Sequence, residues 1–395
     1  MIFKKFFIIV FVVLVSTSAA YSQIIIPDKV KQGIVIDHSS GAVLAEKNAD
    51  QKISPASMTK IMTAVVVFDQ LKNKKIKLTD QFTVSKKARN ATRSGESTMF
   101  VVPGDKVSIE DLLRGVIIIS GVDASIVLAE GISGTEEQFV NLMNEKQFVN
   151  LMNEKAKQIN MVNTNFSNSS GTYSPDNYST VRDIALLSSY LINNYSQYYK
   201  YFKEKDFAWA RTGGNPVKQE NRNVLLSMDE GVDGIKTGHL KDSKYSISVT
   251  KKKDNRRIIA VISGLPTMSS RAESSKLLLN GAFNKIDLVK IPYDKNKFKI
   301  KIWNGSSSYL DVKGANKDGI FVNLPKNLKN PKIKMELEYE YPLQLPIKKF
   351  EKVAVLRIYK NKELIETEDL FAQKDITDKN IFFKGIQNIN HYLWQ

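Results

Sequence analysis

Residues 53–71, ISPASMTKIMTAVVVFDQL, leave no strip of a helix for water. Met58, Ile61, Met62, Ala64, Val65, Val66, Val67, Phe68 and Leu71 fall on every side of it, which predicts a central helix buried all round. Into this apolar surrounding the chain places Lys60, three positions after Ser57. At that spacing both side chains project from one helical face, within reach of each other. Burial disfavours an ammonium ion and lowers its pKa, so a neutral Lys60 is a candidate base for the Ser57 hydroxyl. Pro55 suits a helix start and sets Ser57 near the positive end of the helix dipole. The three histidines, His38, His239 and His391, are not needed for such a scheme. An S-x-x-K spacing by itself recurs by chance on many helices, so the rest of the chain has to decide.

At 395 residues the chain is long for one domain, and two are expected. Lys4 and Lys5, the apolar run Phe6 to Val15 and the small residues Ser16 to Ala20 follow the order of a secretory signal peptide, with cleavage expected near Ala20 or Ser22. The apolar run is short for a spanning anchor, and no later stretch is long and apolar enough to cross a bilayer. The absence of cysteine excludes disulfides, thiol catalysis and cysteine-bound metal. A formal charge of +17 favours anionic surfaces such as phospholipid or envelope polymer. Nucleic acid is disfavoured as a partner, because an exported chain rarely meets it and the lysines are scattered. The expected location is the periplasm.

Residues from about 30 to 285 mix strands and helices. Gly33 to Asp37 and Ala42 to Glu46, joined by Ser39, Ser40 and Gly41, predict an opening hairpin. Ser108 is placed to cap a helix whose first turn holds Glu110 and Asp111. Tyr245 to Thr250 and Arg257 to Ser263 predict a second hairpin around a turn at Asp254 and Asn255. Beyond Ile291 and Pro292 the texture changes: Ile333, Met335, Leu337, Tyr339 and Tyr341 alternate with charged residues, the period of half-buried antiparallel strands. In the last segment Phe382, Ile386, Ile389 and Leu393 share one helical face, which suits either the membrane interface or packing on the β domain.

One repeat is complete: QFVNLMNEK occupies Gln138–Lys146 and again Gln147–Lys155. Nine residues at about 100° each turn the second copy to the opposite side of a continuous helix. Only one of the sets Phe139, Leu142, Met143 and Phe148, Leu151, Met152 is therefore expected in a single core.

Lys236, Thr237 and Gly238 follow the short run Val232 to Ile235 and precede the Tyr245 strand. A strand bearing lysine and threonine offers a cation and a hydroxyl to a carboxylate, and the glycine is expected to let a substrate backbone come close. S-x-x-K, then a serine triplet at Ser120, then K-T-G is the order found in penicillin-interacting serine enzymes. Over nearly its whole length the chain resembles the low-molecular-mass penicillin-binding proteins that act as serine-type D-alanyl-D-alanine carboxypeptidases. The stretches DHSSGAVLAEKNADQKISPASMTKIMTA, IEDLLRGVIIISGVDASIVLAE, YSTVRDIALL, NRNVLL and VDGIKTGH carry the resemblance.

That resemblance implies an α+β fold: a transpeptidase/β-lactamase-like catalytic domain, an antiparallel sheet flanked by helices, followed by a small all-β domain. It implies a signal peptide over 1–20, the catalytic domain over 21–285, the β domain over 286–377 and an amphipathic tail over 378–395 that anchors the enzyme to the outer face of the cytoplasmic membrane. Ser57 would be the acylated nucleophile, Lys60 its general base and Ser120 a proton relay to the leaving amine. Lys236, Thr237 and Gly238 would bind substrate, with Arg222 at its terminal carboxylate. The backbone amides of Ser57 and His239 would form the oxyanion hole. The implied reaction removes the terminal D-alanine of a peptidoglycan stem pentapeptide through a Ser57 ester that water hydrolyses. β-Lactams would mimic the substrate, and no metal or organic cofactor is implied.

Two stretches depart from the family. Its middle motif is S-x-N, but Ser120, Gly121 and Val122 stand here, and losing the asparagine's bond to substrate and lysine costs roughly 1.5–3 kcal/mol. FSNSSGTYSP keeps Asn168 and Gly171 of an NPxGL-like stretch without its proline or leucine. Two rival readings follow. One is a wall-binding paralogue with impaired or silent chemistry. The other is a β-lactamase, which needs a deacylation base that the sequence does not single out.

Overall fold

The computed structural model describes residues 5–13 and 24–378, apart from 93–94, 134–140, 211, 294–297, 315–318, 327–332 and 361, with backbone alone over 5–13 and 141–144. The chain divides into two compact units, one over Gln23–Asn284 and one that joins the N-terminal segment, Met1–Ser22, to the chain from Lys285 onward.

In the first unit five antiparallel strands lie in the order Val43–Lys47, Gln32–Asp37, Arg256–Leu265, Lys244–Lys253, Val232–Leu240. Both expected hairpins are present, and the start and end of the unit meet in one sheet. Arg256–Leu265 is central, and Ile258 through Leu265 are all buried, so its apolar run is nearly unbroken, as a strand covered on both faces requires. The K-T-G strand Val232–Leu240 is at the edge. Helix Val181–Asn194 packs on Gln32–Asp37 and Arg256–Leu265, and Thr180 caps it by accepting from the Asp183 amide. Ser108 caps Ile109–Arg114 in the same way through Asp111, at 3.1 Å.

The central helix runs over Thr59–Lys72, and every residue from Thr59 to Phe68 is buried. The segment was legible because nothing in it could face water. Helix Asn141–Gln158 runs through the junction of the repeat. Phe148 and Met152 of the second copy enter the core fully buried, and Leu151 is half-buried. Phe139 and the side chains of Leu142 and Met143 lie outside the described residues.

The second unit holds a six-stranded sheet in the order Lys5–Val13, Ile333–Tyr341, Lys352–Lys360, Glu363–Ala372, Tyr309–Lys313, Lys299–Lys301. Ile286–Ile291 pairs separately with Ile320–Pro325. Ile333, Met335, Leu337 and Tyr339 are buried while Lys334, Glu336 and Glu338 are not, which is the period read from the sequence. Lys5–Val13, part of the segment read as a leader, pairs antiparallel with Ile333–Tyr341. Residues 379–395 of the expected tail lie outside the described residues. Among the described residues no helix is long and apolar enough to cross a membrane.

Candidate active site

Pro55, at φ −69°, opens the single turn Ala56–Met58, so Ser57 stands just ahead of the central helix and Lys60 falls in its first turn. Lys60 is 1 % exposed, and its Nζ donates to Ser57 Oγ at 3.1 Å. It donates also to the Ser170 carbonyl. Burial pushes the Lys60 ammonium down to about 7, against the opposing pull of the Glu96 and Asp123 carboxylates. Near neutral pH a large fraction of the molecules therefore hold a free amine beside the serine hydroxyl.

The loop that supplies the Ser170 carbonyl is shaped by the two residues it keeps from the family pattern. Asn168 Oδ1 accepts from the amides of Gly171 at 2.7 Å and Ser170 at 3.2 Å, and its Nδ2 donates to the Thr172 carbonyl at 3.1 Å. Gly171 lies at φ +73°, where a Cβ would sit 1.9 Å from the Ala56 carbonyl oxygen, so no other residue fits. Thr63, one turn beyond Lys60, ties the same loop by donating to the Ser169 carbonyl at 2.6 Å.

Ser120 stands in the left-handed region, φ +69°, between the π-helical run Gly115–Ile119 and helix Val122–Ser133. It is 4 % exposed and lines the same cleft as Ser57. Val122, 5 % exposed, lines it too, so the place of the family's asparagine offers the cleft an apolar side chain. Asp123 is buried and pins the neighbouring wall, accepting from Met99 N at 2.9 Å and Thr98 Oγ1 at 2.6 Å.

On the edge strand Lys236 and Thr237 are buried. Desolvation, then the charges of Lys60, Arg271 and Arg222, pushes Lys236 well below the ordinary lysine range. Gly238, read from the sequence as room for a substrate backbone, is also required by the fold. A Cβ there would meet Ser246 Oγ at 2.4 Å and the Pro55 carbonyl at 2.9 Å, so glycine is required for the strand to lie against the Ser57 turn. His239 stacks on Tyr245 with ring centroids 4.1 Å apart.

Arg271, which the sequence reading did not find, completes the wall. It lies on helix Met268–Lys285 and is 4 % exposed, with its guanidinium 5.7 Å from the Tyr245 ring centroid. Burial lowers it to about 10. Its hydrogen bond goes to the Arg222 carbonyl at 3.3 Å, and it has no acidic partner among the described residues. The exposed Arg222 lines the same cleft, of about 340 Å3, together with Thr237 and His239. The guanidinium groups of Arg222 and Arg271 on one wall of this cleft, which Glu96 also lines, favour an anionic ligand group beside them.

Residues 27–147 and 144–267 match the D-alanyl-D-alanine carboxypeptidase family, and 289–378 match the C-terminal domain of penicillin-binding protein 5. The two stretches of the first match overlap inside the nine-residue repeat. D-alanyl-D-alanine carboxypeptidase DacC of Escherichia coli K12 is 38% identical over 355 residues, 88% of this chain and 84% of that protein. DacF of Bacillus subtilis is 30% identical over 357 residues, 88% of this chain and 85% of that protein. Penicillin-binding protein 5 from Haemophilus influenzae superposes with a TM-score of 0.76 at 31% identity, covering 91% of this chain and all of that one. The chain belongs to the D-alanyl-D-alanine carboxypeptidase family, serine peptidases that hydrolyse the D-alanyl-D-alanine end of peptidoglycan peptides and bind β-lactams.

Proposed function

We propose that Ser57 and Lys60 carry out this hydrolysis, and the observation that carries the assignment is the 3.1 Å bond from the buried Lys60 amine to a Ser57 hydroxyl that lines the cleft. Neutral Lys60 takes the Ser57 proton as Oγ bonds to the penultimate carbonyl carbon. The proton passes through Ser120 to the leaving nitrogen as the C–N bond breaks and D-alanine departs. Water then adds to the ester, and its proton returns to Ser57 as the acyl group leaves. The amides of Ser57 and His239 hold the developing oxyanion. Lys236, Thr237 and Arg222, with Arg271, receive the substrate carboxylate. The leader-like start supports an exported, periplasmic enzyme, and the aromatic-rich segment 378–395 supports peripheral contact with the membrane.

A labelled penicillin should form a covalent adduct on Ser57 that peptide mapping locates and that Ser57→Ala abolishes. No adduct on the wild-type protein would favour a silent wall-binding paralogue. An adduct that clears within seconds would favour a β-lactamase. Val122→Asn is expected to raise pentapeptide turnover about tenfold, by restoring one hydrogen bond to a charged or reacting group. A variant no faster than wild type would mean that the apolar side chain costs the site nothing.

A further inference from the structure

Helix Asn141–Gln158 does more than bury Phe148 and Met152: it holds, at two points, the loop that faces Lys60. Asn153, in the second copy of the repeat, clamps Phe166, donating Nδ2 to its carbonyl at 2.8 Å and accepting its amide at 2.8 Å. Glu145, near the end of the first copy, accepts from Ser169 Oγ at 3.3 Å and from Lys87 Nζ at 2.6 Å. Lys87 also lies 3.9 Å from the buried Glu130, so it ties the helices Lys86–Asn90, Val122–Ser133 and Asn141–Gln158 together. Ser169 is fully buried and the Glu145 side chain is 19% exposed, so their contact is partly shielded from water. The Ser169 carbonyl takes the Thr63 hydroxyl, and the next carbonyl, Ser170, takes Lys60. A continuous set of bonds thus leads from Glu145 to the base.

The repeat makes the identity of this glutamate informative. Glu145 stands three residues before Phe148, and Glu136 stands three residues before Phe139. Because the second copy fills the core, a chain carrying one copy would bring Glu136 to the place Glu145 now holds.

We propose that Glu145 is a positioning residue for Lys60, and that the duplication is accommodated because the end of its first copy returns a glutamate to the place of Glu136. This rests on the reading of Lys60 as the base of Ser57. Without the carboxylate the Ser169–Gly171 loop loosens, water reaches Lys60, and the desolvation that keeps its amine neutral is relieved.

The test uses the full chain and the labelled penicillin, with acylation followed across pH and folding checked by thermal transition. Glu145→Ala is expected to acylate about tenfold more slowly, with the ascending limb of its pH profile moved to higher pH, which loss of folded protein alone would not cause. Deleting residues 138–146 should restore the wild-type rate and profile, and adding Glu136→Ala to that deletion should slow it again. If Glu145→Ala fails to fold, the deletion with and without Glu136→Ala carries the comparison. A folded Glu145→Ala with wild-type rate and profile, or a folded deletion variant as slow as Glu145→Ala, overturns the proposal. A wild-type protein that forms no adduct overturns the underlying reading, and this one with it.

Discussion

Lys60→Met is expected to slow acylation of Ser57 by about a thousandfold, the middle of the range for loss of a positioned general base. The wild-type rate should climb with pH through about 7, where burial has brought the Lys60 ammonium, and the residual rate of the variant should lose that dependence. The same substitution should leave the protein more stable. In the folded state Lys60 titrates near 7, below the ordinary 10.5 that it regains on unfolding, so the unfolded chain binds the extra proton between those values. Stability from this source rises as pH climbs through that window, and the cost is fully present below about pH 7. Methionine removes a cost of up to about 5 kcal/mol at neutral or acid pH, and its advantage should shrink towards pH 10. Urea unfolding at pH 6 and pH 10, beside acylation kinetics, checks both halves. A variant that is inactive and less stable at pH 6 would mean that Lys60 serves packing more than base catalysis.

Arg271→Leu is expected to lower kcat/KM for a pentapeptide by about a hundredfold, the loss of one desolvated charge-assisted contact. Arg271 is buried, held against Tyr245 and without an acidic partner among the described residues, so the cleft presents it ready for a carboxylate. The discriminating substrate is the pentapeptide with its C-terminal carboxylate amidated. Wild type should lose most of its activity on it, whereas Arg271→Leu should handle acid and amide almost alike. A variant that still prefers the acid by the wild-type margin would place carboxylate recognition on Lys236 and Arg222 instead.

Much of the catalytic unit was legible because the signals are local. An apolar residue on every side of one helix can only mean burial, and an i, i+3 spacing puts Ser57 beside Lys60 wherever that helix packs. The alternation in Ile333–Tyr341 and the cap at Ser108 likewise depend on neighbours a few residues away. Arg271 was not legible, because no motif surrounds it on Met268–Lys285 and it reaches the cleft only through the packing of that helix beside Tyr245. The packing need for Gly238 was not legible for a similar reason: the atoms that demand a glycine belong to Pro55 and Ser246.

By itself the sequence determined that Ser57 and Lys60 stand together, the order of the three motifs and the two textures of the chain, since each rests on periodicity or on the order of residues along the chain. Only the tertiary structure decided that the second copy of the repeat packs in the core and that Ser170 presents a carbonyl to Lys60. It alone showed that Arg271 joins the cationic wall. Those outcomes depend on contacts between segments from about twenty to more than a hundred residues apart and on the water they exclude, and chain closure over such distances leaves no pattern in the sequence to read.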